Sequence, residues 1–115
     1  MSATSPVELH EPLRTIVQTI LQIARPERIV LFGSRATGQA GKESDYDFLV
    51  VMPDVKNERE ISRRIYRALL EKKTGAAVDT VVVSRRTLKR HEANPYFIYH
   101  QALREGKVLY ERKGT

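Results

Sequence analysis

Four residues in one short segment have the types and the spacing to do chemistry on a charged substrate. In LFGSRATGQAGKESDYDFLVVM, residues 31–52, Gly33 and Ser34 follow one apolar run, and Asp45 and Asp47 precede another. Two aspartates two positions apart at the start of a strand project from one face, with Cα atoms roughly 7 Å apart. Such carboxylates repel each other unless a cation lies between them, and oxygen ligands suit Mg²⁺. An exposed acidic loop explains the pair equally well.

A third aspartate makes the metal interpretation stronger. Asp79 interrupts AVDTVVV, residues 77–83, where strand propensity disfavours an acid and the neighbouring residues are expected to be buried. Three of the chain's four aspartates therefore lie at strand positions that can converge. Two metal ions about 3.5–4 Å apart, bridged by such carboxylates, can align an attacking hydroxyl with a nucleotide α-phosphate and stabilise the leaving pyrophosphate. Asp79 can instead take the proton from that hydroxyl.

The glycine and serine suggest a phosphate site. Gly33 and Ser34 come where the first strand ends and a turn or short helix begins, so their backbone N–H groups would point outward. Glycine permits close approach to a phosphate, the serine hydroxyl adds a donor, and Arg35 or Lys42 can add positive charge. A plain glycine turn is the better interpretation of this pair taken by itself. A Walker A loop is excluded because Ala36 stands where that loop needs glycine.

The apolar pattern predicts the elements that must position these residues. Spacing at i, i+3 and i+4 predicts a helix that starts at Leu13 and closes at Pro26. The same spacing from Ile61 to Lys72 predicts a second helix. The remaining expected elements are strands over 28–32, 46–52 and 77–83, a short helix over 85–92, a helix from 94 through 104 and a strand over 107–111. The first two strands are nearly all apolar, which is typical of burial on both faces, and the order predicts an α/β or α+β sheet domain.

Composition limits the class of protein. The 115 residues fit one domain over residues 1–115, with a net charge of +6, a pI near 9.8 and no cysteine. No apolar run is long enough for a membrane span and no export signal is present, so we expect a cytoplasmic protein without membrane contact. The positive charge indicates an anionic partner, although basic residues on helix surfaces explain the charge better than a nucleic-acid groove does.

Together, these motifs resemble a known family. GSRATG, SDYDFLVV and VDTVVV resemble the G-S, D-x-D and third-aspartate pattern of the nucleotidyltransferase superfamily with the DNA polymerase β fold. The group closest in size is the minimal nucleotidyltransferase, the antitoxin half of HEPN and nucleotidyltransferase toxin–antitoxin pairs. REGKVLYE near the end is also similar to that group's C-terminus. The resemblance implies an α+β fold in which a small mixed β-sheet is flanked by helices.

The resemblance also implies roles for the candidate residues. Gly33 and Ser34 would hold the triphosphate of ATP, and Asp45 and Asp47 would bind Mg²⁺, with two ions expected. Asp79 would complete the metal site or act as the base. The implied reaction is transfer of AMP from ATP to a hydroxyl, and the family's acceptor is a tyrosine on a HEPN ribonuclease toxin encoded nearby.

The acceptor is expected on a partner molecule, because a chain of this size leaves little protein for a deep second pocket. One candidate docking patch is Tyr96, Phe97, Ile98 and Tyr99, although a helix face packed on the sheet is the better interpretation for most of these residues. Homo- and hetero-oligomers both remain open. The alternatives to an enzyme are an antitoxin that acts only by binding the toxin, and a nucleic-acid-binding module. The three aspartates argue against both.

Overall fold

A mixed four-stranded sheet organises the chain. The computed structural model describes residues 9–38, 41, 45–91, 93–94 and 98–112. In chain order the elements are α1 (Leu13–Ile23), β1 (Arg28–Phe32), α2 (Ser34–Thr37), β2 (Tyr46–Met52), α3 (Glu58–Lys72), β3 (Val78–Ser84), α4 (Arg85–His91), α5 (Ile98–Glu105) and β4 (Lys107–Glu111). No helix within the described ranges is long and apolar enough to cross a membrane.

The strand order is β3-β2-β1-β4. Strand β1 pairs antiparallel with both β2 and β4, whereas β2 and β3 run parallel. The parallel pair requires a crossover connection, and α3 supplies it. The expected α+β fold with a small mixed sheet and flanking helices is therefore confirmed.

Helices cover both faces of the sheet, which explains the continuous apolar run of β2. One core cluster joins α1 and α3 to Phe48 and Val50. The other joins α4 and α5 to Leu49 and Val51. Because side chains alternate along a strand, consecutive residues enter opposite clusters, and all four are at most 1% exposed.

The predicted boundaries hold to within about a turn. Helix α3 begins before its first apolar marker, because the Asn57 side chain accepts a 3.0 Å hydrogen bond from the Glu60 N–H and caps the helix. Strand β3 is shifted by one residue relative to the expectation. The Ser84 hydroxyl accepts a hydrogen bond from the Thr87 N–H, as expected for a cap of α4. The expected start of the next helix falls partly on Pro95, which lies outside the described residues.

The basic residues of α3 and α4 lie on helix surfaces, as expected. The exposed set is Arg59, Arg63, Arg64, Arg67, Lys72, Arg85, Arg86, Lys89 and Arg90. Apolar residues of the same helices, among them Ile65 and Leu88, are buried in the core. This amphipathic division explains why the positive charge is compatible with an ordinary folded domain.

Gly106 is required by packing. A Cβ at this position would overlap the carbonyl oxygen of Ala102 and the Cγ1 atom of Val30. The Gly106 N–H donates a 2.9 Å hydrogen bond to Ala102 O, so the chain turns directly from α5 into β4 while lying against β1. A side chain there would push the helix away from the sheet.

We expect Gly106→Ala to lower the free energy of unfolding by about 1–3 kcal/mol through this overlap. Gly41→Ala is the control, because a Cβ at Gly41 meets no atom within 4 Å. Urea denaturation of both variants checks the prediction. Equal stabilities for the two variants would contradict it.

Candidate active site

Two of the three candidate aspartates are paired across the sheet. The parallel register places Asp47 of β2 opposite Asp79 of β3, and the antiparallel register places Phe32 of β1 on the other side of Asp47. Neighbouring strands lie about 4.8 Å apart, so the two carboxylates start from adjacent backbone positions. Asp45 immediately precedes β2. The structure therefore brings the three aspartates to one end of the β2/β3 pair.

Asp47 and Asp79 also share one face of the sheet. Leu49 and Val83, which follow them by even numbers of residues, both belong to the core cluster under α4 and α5. Because side chains alternate along strands, Asp47 and Asp79 project from this same face.

One expectation about Asp79 is wrong. Its neighbours were expected to be buried, yet Asp79 is exposed and Val78 and Thr80 are only partly buried. The reason is that β3 lies at the edge of the sheet, where only one side of the strand has a partner. The acid therefore stands where a second molecule can reach it.

The surroundings of Asp47 raise its pKa. Burial raises the pKa of the Asp47 carboxyl, and the negative charges of Asp79 and Asp45 raise it further. Asp45 and Asp79 therefore both lie close enough to Asp47 to repel its carboxylate.

The donor atoms fit a divalent cation, although they do not form a closed cage. In the described part of the chain, no group of three or more His, Cys, Asp or Glu side chains is arranged to hold a metal ion. The carboxylates supply only oxygen ligands and excess negative charge. This is the donor chemistry of Mg²⁺, which keeps several waters and takes further ligands from substrate phosphates. The carboxylate oxygens are therefore of the right chemical type for Mg²⁺, and a phosphate and waters would have to supply the remaining ligands.

The Gly33 turn packs against the acidic site. Gly33 has a φ of 78°, in the region that favours glycine, and a Cβ there would lie 2.5 Å from Asp47 Oδ2. Its carbonyl accepts a 3.0 Å hydrogen bond from the Ala36 N–H. Ser34 follows as the first residue of α2 and is partly buried. The structure thus brings Gly33 beside Asp47, with Ser34 as the next residue along the chain.

Of the two basic residues predicted to contact phosphate, Arg35 and Lys42, the structure describes only Arg35. The Arg35 guanidinium lies 4.3 Å from the centre of the Tyr46 ring. Tyr46 packs against the core cluster under α1 and α3, on the opposite face of β2 from Asp47. Lys42 lies outside the described residues. Sequence reasoning missed the contact between Arg35 and Tyr46, because no periodicity links residues joined by a turn.

The candidate docking patch is only partly described. Tyr99 packs against the core cluster under α4 and α5, which agrees with the helix-face interpretation for that residue. Ile98 is 45% exposed. Tyr96 and Phe97 lie outside the described residues.

Comparison with known proteins identifies the family. Residues 12–109 match the family model described as Nucleotidyltransferase domain, and the chain belongs to this family.

A curated relative supports the more specific resemblance. The chain is 31% identical over 100 residues to a protein named Protein adenylyltransferase MntA, from Aphanizomenon flos-aquae (strain 2012/KM1/D3). The match covers 85% of this chain and 65% of the relative, so it spans just under two thirds of the relative's length. It confirms the resemblance to the minimal nucleotidyltransferases.

Solved structures agree on the fold. A crystal structure described as a toxin-antitoxin with AMP-PNP has a TM-score of 0.51 at 24% identity, covering 86% of this chain and 73% of that chain. A mutant form of the toxin-antitoxin MntA-HpeT has a TM-score of 0.55 at 22% identity, with coverages of 91% and 76%. At these identities the likeness concerns the fold.

Gly33→Ala and Gly38→Ala together test the role of the Gly33 turn. Both glycines have positive φ, but a Cβ at Gly38 meets no atom within 4 Å. We expect Gly38→Ala to lose about 1 kcal/mol of stability, because alanine disfavours a positive φ. Gly33→Ala is expected to lose more, about 1–3 kcal/mol, because its φ of 78° and ψ of −160° lie in a region nearly restricted to glycine and its Cβ would meet Asp47. Only Gly33→Ala is expected to weaken the binding of ATP with Mg²⁺, measured by calorimetry. Equal ATP affinities for the two variants would favour a plain turn at Gly33.

Asp47→Asn tests the repulsion within the acidic site. Because the pKa of Asp47 is raised in the fold, the metal-free protein loses stability as the pH rises from about 3.8, the ordinary value, through the raised pKa. We therefore expect Asp47→Asn to melt a few degrees higher than the parent at pH 7 in the presence of a chelator.

The advantage of Asp47→Asn should disappear at pH values below 3.8, where the parent carboxyl is protonated in both states. Asp54→Asn is the matched control, because Asp54 is exposed and lies 3.5 Å from the Arg86 guanidinium. A lower melting temperature for Asp47→Asn than for the parent at pH 7 would contradict the predicted repulsion.

Proposed function

We propose that this protein is a Mg²⁺-dependent adenylyltransferase that transfers AMP from ATP to a tyrosine hydroxyl of a HEPN-type toxin encoded nearby, and thereby acts as its antitoxin. The observation that carries this proposal is the in-register pair Asp47 and Asp79, with the Gly33 turn packed against Asp47. The name of the curated relative, Protein adenylyltransferase, supports AMP as the transferred group and a protein as the acceptor.

In this reaction the candidate residues would have separate roles. The Gly33 backbone and the Ser34 hydroxyl would donate hydrogen bonds to the triphosphate. Asp45 and Asp47 would hold Mg²⁺, which would neutralise the charge of the triphosphate and of the leaving pyrophosphate. Asp47 would be held in position by the buried residues that follow it, since Phe48 is fully buried.

The transfer itself is a displacement at the α-phosphorus of ATP. The acceptor oxygen forms a bond to this phosphorus while the bond to the bridging oxygen of pyrophosphate breaks. Asp79 would accept the hydroxyl proton, and its exposure at the edge of the sheet leaves the carboxylate accessible to an acceptor on another molecule. The proton and the pyrophosphate are then released into the solvent.

Incubation with ATP, Mg²⁺ and the purified HEPN-type protein encoded beside this chain is expected to add AMP to that protein, measured by intact-mass spectrometry. We expect Asp47→Asn to slow the transfer at least roughly a hundredfold, because metal-assisted stabilisation of the transition state is worth several kcal/mol. Asp54→Asn is expected to transfer AMP at the parental rate.

Two results would contradict the proposal. The first is a partner mass that never changes across nucleotides and metals. The second is transfer by Asp47→Asn at the parental rate. If Asp47→Asn transfers no AMP but still neutralises the toxin, the antitoxin acts by binding alone.

A further inference from the structure

A groove runs along the free edge of the sheet towards Asp79. A cavity of about 400 Å³ lies between α3 and β3 and is lined by Arg59, Tyr66 and Asp79, among others. A second cavity of about 300 Å³ also contacts Tyr66 and continues past Leu70 to Thr74. The two cavities share Tyr66, Leu69 and Val78 and are therefore adjacent, and together they are named the α3/β3 groove.

The walls of the groove are suited to contact another polypeptide. Strand β3 is the terminal strand of the described sheet, so its outer backbone groups face away from β2. An unpaired strand edge is a template for an additional strand. Beside it, the side chains of Tyr66 and Leu70 are 56% and 59% exposed, the highest values among the large apolar residues in the described part of the chain. An exposed apolar pair next to a free strand edge is typical of a binding surface.

The charge of the groove selects the kind of partner. Arg59 and Arg63 line the same cavity as Asp79, and both are exposed. Arg63 forms a 2.9 Å ion pair with Glu60 of the same helix, so the argument for an acidic partner rests mainly on Arg59. Two copies of this chain joined through their β3 edges would bring the arginines of both α3 helices together. That repulsion, in a chain with a net charge of +6, disfavours self-association and favours an acidic partner.

We propose that the α3/β3 groove binds an extended, acidic segment of the partner protein and guides its acceptor hydroxyl to Asp79. This inference rests on the proposed AMP transfer for the identity of the partner. The segment adds a strand beside β3, its apolar side chains contact Tyr66 and Leu70, and an acidic side chain pairs with Arg59. Because side chains alternate along a strand, a hydroxyl at an alternate position of the same segment projects to the opposite face of the sheet, the face of the Asp79 carboxylate that accepts its proton.

Two groove variants with matched controls test the proposal. Leu70→Ser removes an apolar contact, and its control is Val108→Ser, at a residue 42% exposed on the opposite edge strand β4. Arg59→Glu reverses a charge in the groove, and its control is Arg67→Glu, an exposed arginine of the same helix. All four positions are exposed, so folding is expected to be retained, and thermal melts check this.

We expect each groove variant to weaken binding of the purified co-encoded partner roughly tenfold or more. The KM for the partner should rise equally, while the affinity for ATP with Mg²⁺ stays unchanged. Both controls should remain within about twofold of the parent. Calorimetry measures both affinities, and mass spectrometry of the partner measures the transfer.

The outcomes separate this inference from the proposed activity. Groove-dependent binding without any AMP transfer would support the docking surface and contradict the transferase. Transfer with a parental KM in both groove variants would overturn the docking surface and leave the transferase intact. A parent protein that does not bind the partner would also overturn it. The docking surface would also be overturned by a dimer of this chain that Leu70→Ser disrupts, or by tight oligonucleotide binding that Arg59→Glu abolishes.

Discussion

The parallel pairing of β2 with β3, in the register that sets Asp47 opposite Asp79, determines most other features of this domain. A parallel pair cannot be closed by a hairpin, so the chain must cross over the sheet, and α3 makes that crossing. The helix covers one face of the sheet beside its free edge, which creates the α3/β3 groove. The same register brings two carboxylates to adjacent positions, where their negative charges repel. Site and groove are thus consequences of one pairing.

The two ends of the β2/β3 pair differ in the partners of their polar and charged groups. At the far end, the Ser84 N–H donates a 2.5 Å hydrogen bond to Glu58, and Arg85 forms an ion pair with Glu27. Polar groups there have partners within the protein, which stabilises the junction with α4. At the near end, the two charged groups that raise the pKa of Asp47 are both acids, and the Asp47 carboxyl is partly buried. Excess charge of one sign at the end of a packed sheet is typical of a functional site rather than of a structural contact.

The acidic site can persist because the surrounding core fixes it. Phe48 and Leu49 follow Asp47 and are fully buried in opposite core clusters, so β2 cannot move away to relieve the repulsion. On the other side, the positive φ of Gly33 lets the backbone lie against the Asp47 carboxylate where a side chain would collide. The packing of the core therefore keeps the Asp47 carboxylate near the acids that repel it.

The sequence alone determined the elements and most of the candidate residues. Helical spacing identified α1 and α3, continuous apolar runs identified β1 and β2, and the D-x-D and G-S patterns identified Asp47 and Gly33. These signals are local, because the periodicity of a helix or a strand is set by its own backbone geometry.

Only the tertiary structure decided how the elements meet. The sequence did not show that β3 lies parallel to β2 at an edge, and for that reason the burial of the residues beside Asp79 was overestimated. It also did not show that Arg35 stacks on Tyr46, or that Gly33 lies against Asp47. Strand order, register and contacts across a turn depend on the packing of residues far apart in the chain, and no local pattern encodes them.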